Sequence, residues 1–165
     1  MSQYVIFAVG LLAQLLFSAR LLVQWILSEK AHKVLSPTLF WQLSMLASFM
    51  LCLYGWLRND FAIILGQLIS YYIYIWNLKA KGSWGKLPRA ARVIFFGIPM
   101  VAVAYFLMNW SDTLTRLFKQ DDIPLWLILY GVAGQFTFTL RFIYQWWYSR
   151  KAGESVLPAM FWIIS

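Results

Sequence analysis

The 165-residue chain is 62% hydrophobic and 19% aromatic, and only 12% of it is charged. Soluble domains are roughly 45–50% apolar and about 25% charged, and a fold of this size has too little interior to hide the surplus. A water-soluble enzyme, a disordered segment and a DNA-binding domain are thereby excluded, and an integral membrane protein remains. The net charge of +8 then reflects Lys and Arg gathered in cytoplasmic loops, not affinity for nucleic acid.

A spanning helix needs roughly 20 mostly apolar residues. Stretches 4–28, 35–57, 61–78, 93–110 and 125–148 read as spans. The first is too long for a cleavable signal peptide and has no basic residues before it. Arg58-Asn59-Asp60 makes a tight polar turn. Lys79 to Arg92 carries Gly82, Gly85 and Pro88 and breaks the helices. Pro99 predicts a kink in the fourth span. Asp112 to Pro124 reads as a polar, acidic loop, with Pro124 preset for a helix start. A sixth apolar segment opens at Val156 and reaches Ser165, short of the hydrocarbon thickness. The expectation is a piece of a longer chain.

Lone Cys52 and lone His32 leave no internal disulfide and no Cys/His metal cluster. No P-loop, dinucleotide glycine motif, HExxH or GxSxG is present. No cofactor and no catalysis are expected, and Asp121-Asp122 reads as a solvated loop.

Orientation follows from the basic residues. Lys30, Lys33, Lys79, Lys81, Lys86, Arg89, Arg92, Arg150 and Lys151 fall on one side, nine in all, against Arg58, Arg116 and Lys119 on the other. The larger set belongs in the cytoplasm, which puts the N-terminus outside.

An internal repeat reorganises this picture. Residues 14–44 and 135–165 align at an offset of 121 without gaps, identical at 12 of 31 positions. The offset spans an even number of helices, so both copies cross the membrane in the same direction, a known transporter plan. The chain divides into a first three-helix repeat (1–78), a basic loop with linker helix and outer loop (79–123), and an incomplete second repeat (124–165). At 100° per residue, Gln14, Phe17, Arg20, Gln24, Trp25 and Ser28 share an arc of about 140°. Their counterparts Gln135, Phe138, Arg141, Gln145, Trp146 and Ser149 are identical. Leu21 alone changes within that arc.

Arg20 and Arg141 lie about eight residues inside the cytoplasmic ends of their helices, roughly 12 Å deep. An arginine in mid-span costs about 2.5–3.5 kcal/mol on insertion scales, relieved in part by snorkelling. No Asp or Glu lies in any expected span. The missing partner is a bound phosphate or carboxylate gripped bidentately, or else a helix-end carbonyl or lipid headgroup. Gln14, Gln24, Gln135 and Gln145 either glue helices together or line a polar cavity. On the third helix Gln67, Tyr71 and Tyr74 share a face beside Ser70 and Asn77. Flat aromatic faces with polar tips suit a sugar ring, and equally an interface belt. Trp25 and Trp146 recur in the repeat, as do Trp41 and Trp162.

The stretch from Phe17 to Trp41, FSARLLVQWILSEKAHKVLSPTLFW, resembles the lipid A biosynthesis N-terminal family. That family is named after a membrane extension of some lipid-A-disaccharide synthases. The resemblance rests on Phe17, Ser18, Arg20, Gln24, Trp25, Ser28 and Glu29, then Pro37, Phe40 and Trp41, with ILGQ at Ile64 to Gln67. The second copy has Thr139 for Ser18 and Arg150 for Glu29. The family in turn is similar to PQ-loop and SWEET-type transporters. Leu35-Ser36-Pro37 fits that pattern, while Val23-Gln24 and Tyr144-Gln145 lack its proline.

The resemblance implies an all-α integral membrane protein of two parallel three-helix repeats joined by a linker helix, a 3+1+3 plan. It also implies a place in glycolipid metabolism at the bacterial inner membrane, with the N-terminus periplasmic. The expected function is a carrier or flippase for an anionic lipid-linked sugar, such as a polyprenyl-phosphate monosaccharide. The alternative is a non-transporting subunit that presents a lipid or docks a membrane glycosyltransferase through the Lys79–Arg92 loop, which anionic headgroups would attract equally. Self-association into a homo-oligomer is left open.

Overall fold

A computed structural model describes residues 3–58, 60–112, 115 and 124–164, and every regular element among them is helical. The helices are α1 (Gln3–Ala31), α2 (Thr38–Leu57), α3 (Phe61–Ala80), α4 (Arg89–Met108), α5 (Leu125–Ala152) and the short α6 (Ala159–Ile163), with a 3-10 turn at Trp84–Lys86 before α4. They follow the expected stretches closely. Asn59, most of the expected outer loop with Arg116, Lys119 and Asp121-Asp122, and Ser165 lie outside the described residues.

The helix boundaries have local causes. Pro37, Pro88, Pro124 and Pro158 each stand at an N-cap, where a missing N–H costs nothing. The Asp60 carboxylate accepts from Ile63 N at 3.3 Å and caps α3. After α5, Gly153 takes φ 73°, the left-handed turn that ends many helices. Its repeat counterpart after α1 is His32, held at φ 48°, so both loops turn alike and one does so without glycine's freedom.

Pro99 sits inside α4 and removes the N–H that the Phe95 carbonyl would otherwise accept from. The Tyr71 hydroxyl donates to that carbonyl instead, and Tyr72 donates to the next one, on Phe96, at 2.8 Å. Thus α3 replaces the bond that the proline deletes.

Packing centres on α3, which touches α2, α4 and α5, while α2 also lies along α1. The core is aromatic. Phe40, Trp41, Tyr71, Tyr74, Phe142 and Phe161 are almost wholly buried. Phe142 meets Tyr74 and Phe161 edge-on, with ring centroids 4.9 and 5.2 Å apart, the favoured geometry for such pairs. At Gly66 a side chain would fall on Gln135, whose Nε2 donates to the Gly66 carbonyl at 2.9 Å. That close approach joins α3 to α5.

The exterior has the opposite character. Phe7 is 69% exposed, Val101 67% and Met108 86%, while Gln67, Ser70, Asn77 and Gln145 are buried. By length and composition, α1, α2 and α4 are able to cross a membrane. α3 and α5 are as long.

Candidate functional site

The polar residues of α1, α3 and α5 meet in two places. The first is built around the arginines. Arg20 is 2% exposed. Its Nη1 donates to Ser44 Oγ at 2.9 Å and to the Tyr74 hydroxyl at 3.3 Å, and Ser44 in turn donates to the Phe40 carbonyl. The guanidinium carbon lies 4.6 Å from the Phe17 ring centre, 5.3 Å from that of Phe40 and 5.5 Å from that of Phe142. Arg141, on α5, is half-buried. Its guanidinium carbon is 4.1 Å from the Phe138 ring centre, 4.9 Å from that of Phe142 and 5.4 Å from that of Phe161. Arg141 makes no hydrogen bond among the described residues, and the Nε atoms of both arginines are buried without a partner.

Phe142 is therefore shared. With each cation within 5.5 Å of its centre, the two charges are at most about 11 Å apart. Two like charges at that distance repel by at least about 1.5 kcal/mol at an effective dielectric constant of about 20. Cation–π contacts offset part of this, at about 0.5–2 kcal/mol each. No carboxylate pairs with either arginine among the described residues, and no group of acidic, His or Cys side chains there suits a metal. What the arrangement can offer an anion is the Arg141 guanidinium, whose donors have no partner among the described residues.

The second place is a pair of matching latches. Gln24 Nε2 donates to Ser28 Oγ at 3.0 Å and to the Leu35 carbonyl at 3.4 Å, and Leu35 N donates to Ser28 Oγ. In the second repeat, Gln145 Nε2 donates to Ser149 Oγ at 2.8 Å and to the Val156 carbonyl at 2.9 Å, and Val156 N donates to Ser149 Oγ. Each Gln-Ser pair pins the loop after its helix to the residue that opens the next segment. Among the described residues only the second latch is bridged to α3. Asn77 Nδ2 donates to Gln145 Oε1 at 3.1 Å, Gln145 Nε2 donates to Asn77 Oδ1 at 3.0 Å, and Ser155 Oγ donates to the same Oδ1 at 2.6 Å.

The structure thus brings Arg20, Arg141 and Tyr74 together, and Gln145 beside Asn77. Gln67 lies deeper toward the other end of α3, where its Oε1 accepts from Ser48 Oγ at 3.0 Å. Tyr71 faces α4, and Gln135 meets the α3 backbone. Trp146 packs edge-on to Trp76 at 6.5 Å. Gln14 and Trp25 lie on the exposed flank of α1, with Trp25 62% exposed. Of the residues that the sequence alone does not single out, Phe142 matters most. A signal for it exists: its counterpart is Leu21, the one position in the repeated arc that changes. Asn77 stands on the polar face of α3 but gains its weight from two distant partners.

The fold and the arginine pair define a class: an all-helical bundle with an apolar exterior, a polar and aromatic core, and two unneutralised cations inside it. The Lipid A Biosynthesis N-terminal domain family matches residues 9–79 and 130–165, and the chain belongs to that family. It is 32% identical over 98% of its length to a lipid-A-disaccharide synthase of Chlamydia felis and 31% identical over 96% to that of Chlamydia caviae. The enzyme named so in Chlamydia pneumoniae is 29% identical over 98% of the chain. In each case the chain spans 27% of the relative's length. No solved structure matches.

Proposed function

We propose that this chain is a multi-pass protein of the bacterial inner membrane that grips the phosphate of a lipid-linked sugar between Arg20 and Arg141 and acts as its carrier or flippase. The observation that carries this reading is the convergence of two cations, Arg20 buried and Arg141 half-buried, on the Phe142 ring with no carboxylate among the described residues to neutralise them. In water such a cluster is merely unfavourable; inside an apolar bundle it invites a counter-ion. Tyr74 and the surrounding rings supply flat faces for a sugar, and membership of the lipid A family supports a glycolipid over a soluble anion. In this reading residues 1–78 form one three-helix repeat, α4 is the linker, and residues 124–165 open a parallel second repeat, so that the plan is 3+1+3.

A second reading has one observation in its favour. The relatives are named as synthases of which this chain covers 27%, so the bundle instead presents the lipid to a glycosyltransferase without moving it. Purified protein reconstituted alone into liposomes separates the two. A carrier translocates a fluorescent polyprenyl-phosphate sugar between leaflets at a rate that falls to that of empty liposomes in the Arg20→Gln, Arg141→Gln double variant. Binding without translocation selects presentation.

Membrane topology is tested directly. Thiol labels applied to intact cells should modify Asn59→Cys from the periplasmic side and leave Ser83→Cys untouched until the membrane is opened. Modification of both from one side would refute the odd number of crossings between them, and with it the topology.

A further inference from the structure

The two repeats differ in what covers their first helix. On α5, the face that includes Phe142, Gln145, Trp146 and Ser149 is covered by α3. Tyr74 lies on Phe142, Asn77 bonds Gln145, and Trp76 meets Trp146. The matching face of α1 is open. Leu21, Gln24, Trp25, Ser28, Lys33 and Trp162 line a groove of about 540 Å³ there. Gln24 is only 6% exposed, yet its Oε1 accepts no hydrogen bond among the described residues, whereas the counterpart Oε1 of Gln145 accepts from Asn77. The groove therefore presents an acceptor for which the described residues supply no donor. An acyl chain laid over it would strand that acceptor at a cost, which favours a polar partner.

We propose that this groove on α1 docks a helix from outside residues 1–165 that repeats the face α3 presents to α5, with an asparagine whose amide donates to Gln24 and a tryptophan one residue before it, set on Trp25. Charge adds a further mark of the partner. Beside α3, burial lowers the Lys81 pKa and the nearby Glu154 charge opposes that shift. The counterpart of Glu154 in the open groove is Lys33, so the sign is reversed at that position, while Glu29 lines the groove one turn earlier. The docking helix carries Asp or Glu four residues after its asparagine, where α3 carries Lys81. The proposal does not depend on the identity of any lipid ligand.

The probe is a synthetic helix with the sequence of residues 61–81, bearing Trp76→Cys and Lys81→Glu. It is added to the purified full chain carrying Cys52→Ser and Trp25→Cys, with a short thiol–thiol cross-linker. A one-to-one adduct is expected. The same probe with Lys81 retained should give roughly two- to five-fold less, the range of an exposed ion pair. Lys33→Glu in the chain should reverse that preference. Because Lys33 is exposed, this charge swap leaves the fold intact. Changing the probe's asparagine, Asn77→Leu, should cut the adduct strongly. Absence of an adduct, or adduct formation indifferent to both the charge swap and the asparagine, overturns the proposal; the second outcome is that of a groove filled by any apolar chain.

Discussion

Replacing Asn77 with leucine is expected to cause the largest loss of stability of any single polar substitution in this chain. Asn77 makes three hydrogen bonds to the second repeat, two with Gln145 and one from Ser155, and Ser155 is linked to Ser36 at 3.1 Å and through it to Trp41 Nε1. Interhelical hydrogen bonds in membranes average only about 0.6 kcal/mol and reach about 1.7. Removing a hub is different, because Gln145 Oε1 stays buried without its donor, at about 1–3 kcal/mol, and the Ser155 hydroxyl is left with Ser36 alone. The new aliphatic side chain also restores some apolar contact, so the net loss should be about 1–3 kcal/mol. A thermal-unfolding measurement in detergent, with Gln14→Leu as the exposed control that shifts little, checks this. A variant as stable as the parent would show that the bonded network is incidental.

The arginine substitutions should separate two roles that the sequence leaves merged. The repeat places Arg20 and Arg141 at equivalent positions, and equal effects would follow from that alone. The geometry predicts unequal ones. Arg20 is tied to Ser44 and Tyr74, so Arg20→Gln removes two buried hydrogen bonds and lowers stability as well as binding. Arg141 has only its ring contacts, so Arg141→Gln should spare the fold while removing a charge-assisted contact of about 1.5–3 kcal/mol, roughly tenfold or more in affinity for a phosphate-bearing lipid. Lysine should substitute poorly at position 141, since it lacks the planar fork. On the proposal that both cations grip one ligand, the double variant should lose less than the two single losses combined. Additive losses would place two anions at two sites, and intact binding in both single variants would make the arginines structural.

Much of the helical order was legible because apolar runs of spanning length are bounded by prolines and glycines with fixed backbone consequences. Pro124 does stand at a helix start, as do Pro37 and Pro158. The repeat was legible for a similar reason, since Arg, Gln, Pro and Trp recur in register. What the sequence does not disclose is which repeated residues face inward. The arc of about 140° on α1 narrows in the structure to Phe17, Arg20, Gln24 and Ser28, while Gln14 and Trp25 at its edge are exposed. Helical periodicity assigns a direction but not a neighbour, and on that flank the described residues supply none for Gln14 and Trp25. Tyr71 illustrates the same limit. It shares a face with Tyr74 by spacing, yet its hydroxyl goes to the carbonyl that Pro99 leaves without a donor, a requirement set by another helix. The glutamines that read equally as cavity lining or glue are, for Gln24 and Gln145, latches on the backbone of the following loop.

The central claim is that Arg20 and Arg141 together hold the phosphate of a membrane lipid. Native mass spectrometry of the protein released from its own membranes tests it most directly, comparing the parent chain with the Arg20→Gln, Arg141→Gln double variant at matched helical content. The account predicts a phosphate-bearing lipid sugar retained by the parent and reduced at least about tenfold in the double variant. A parent chain free of any phosphate-bearing lipid, or one whose lipid is retained equally by the double variant, would contradict it.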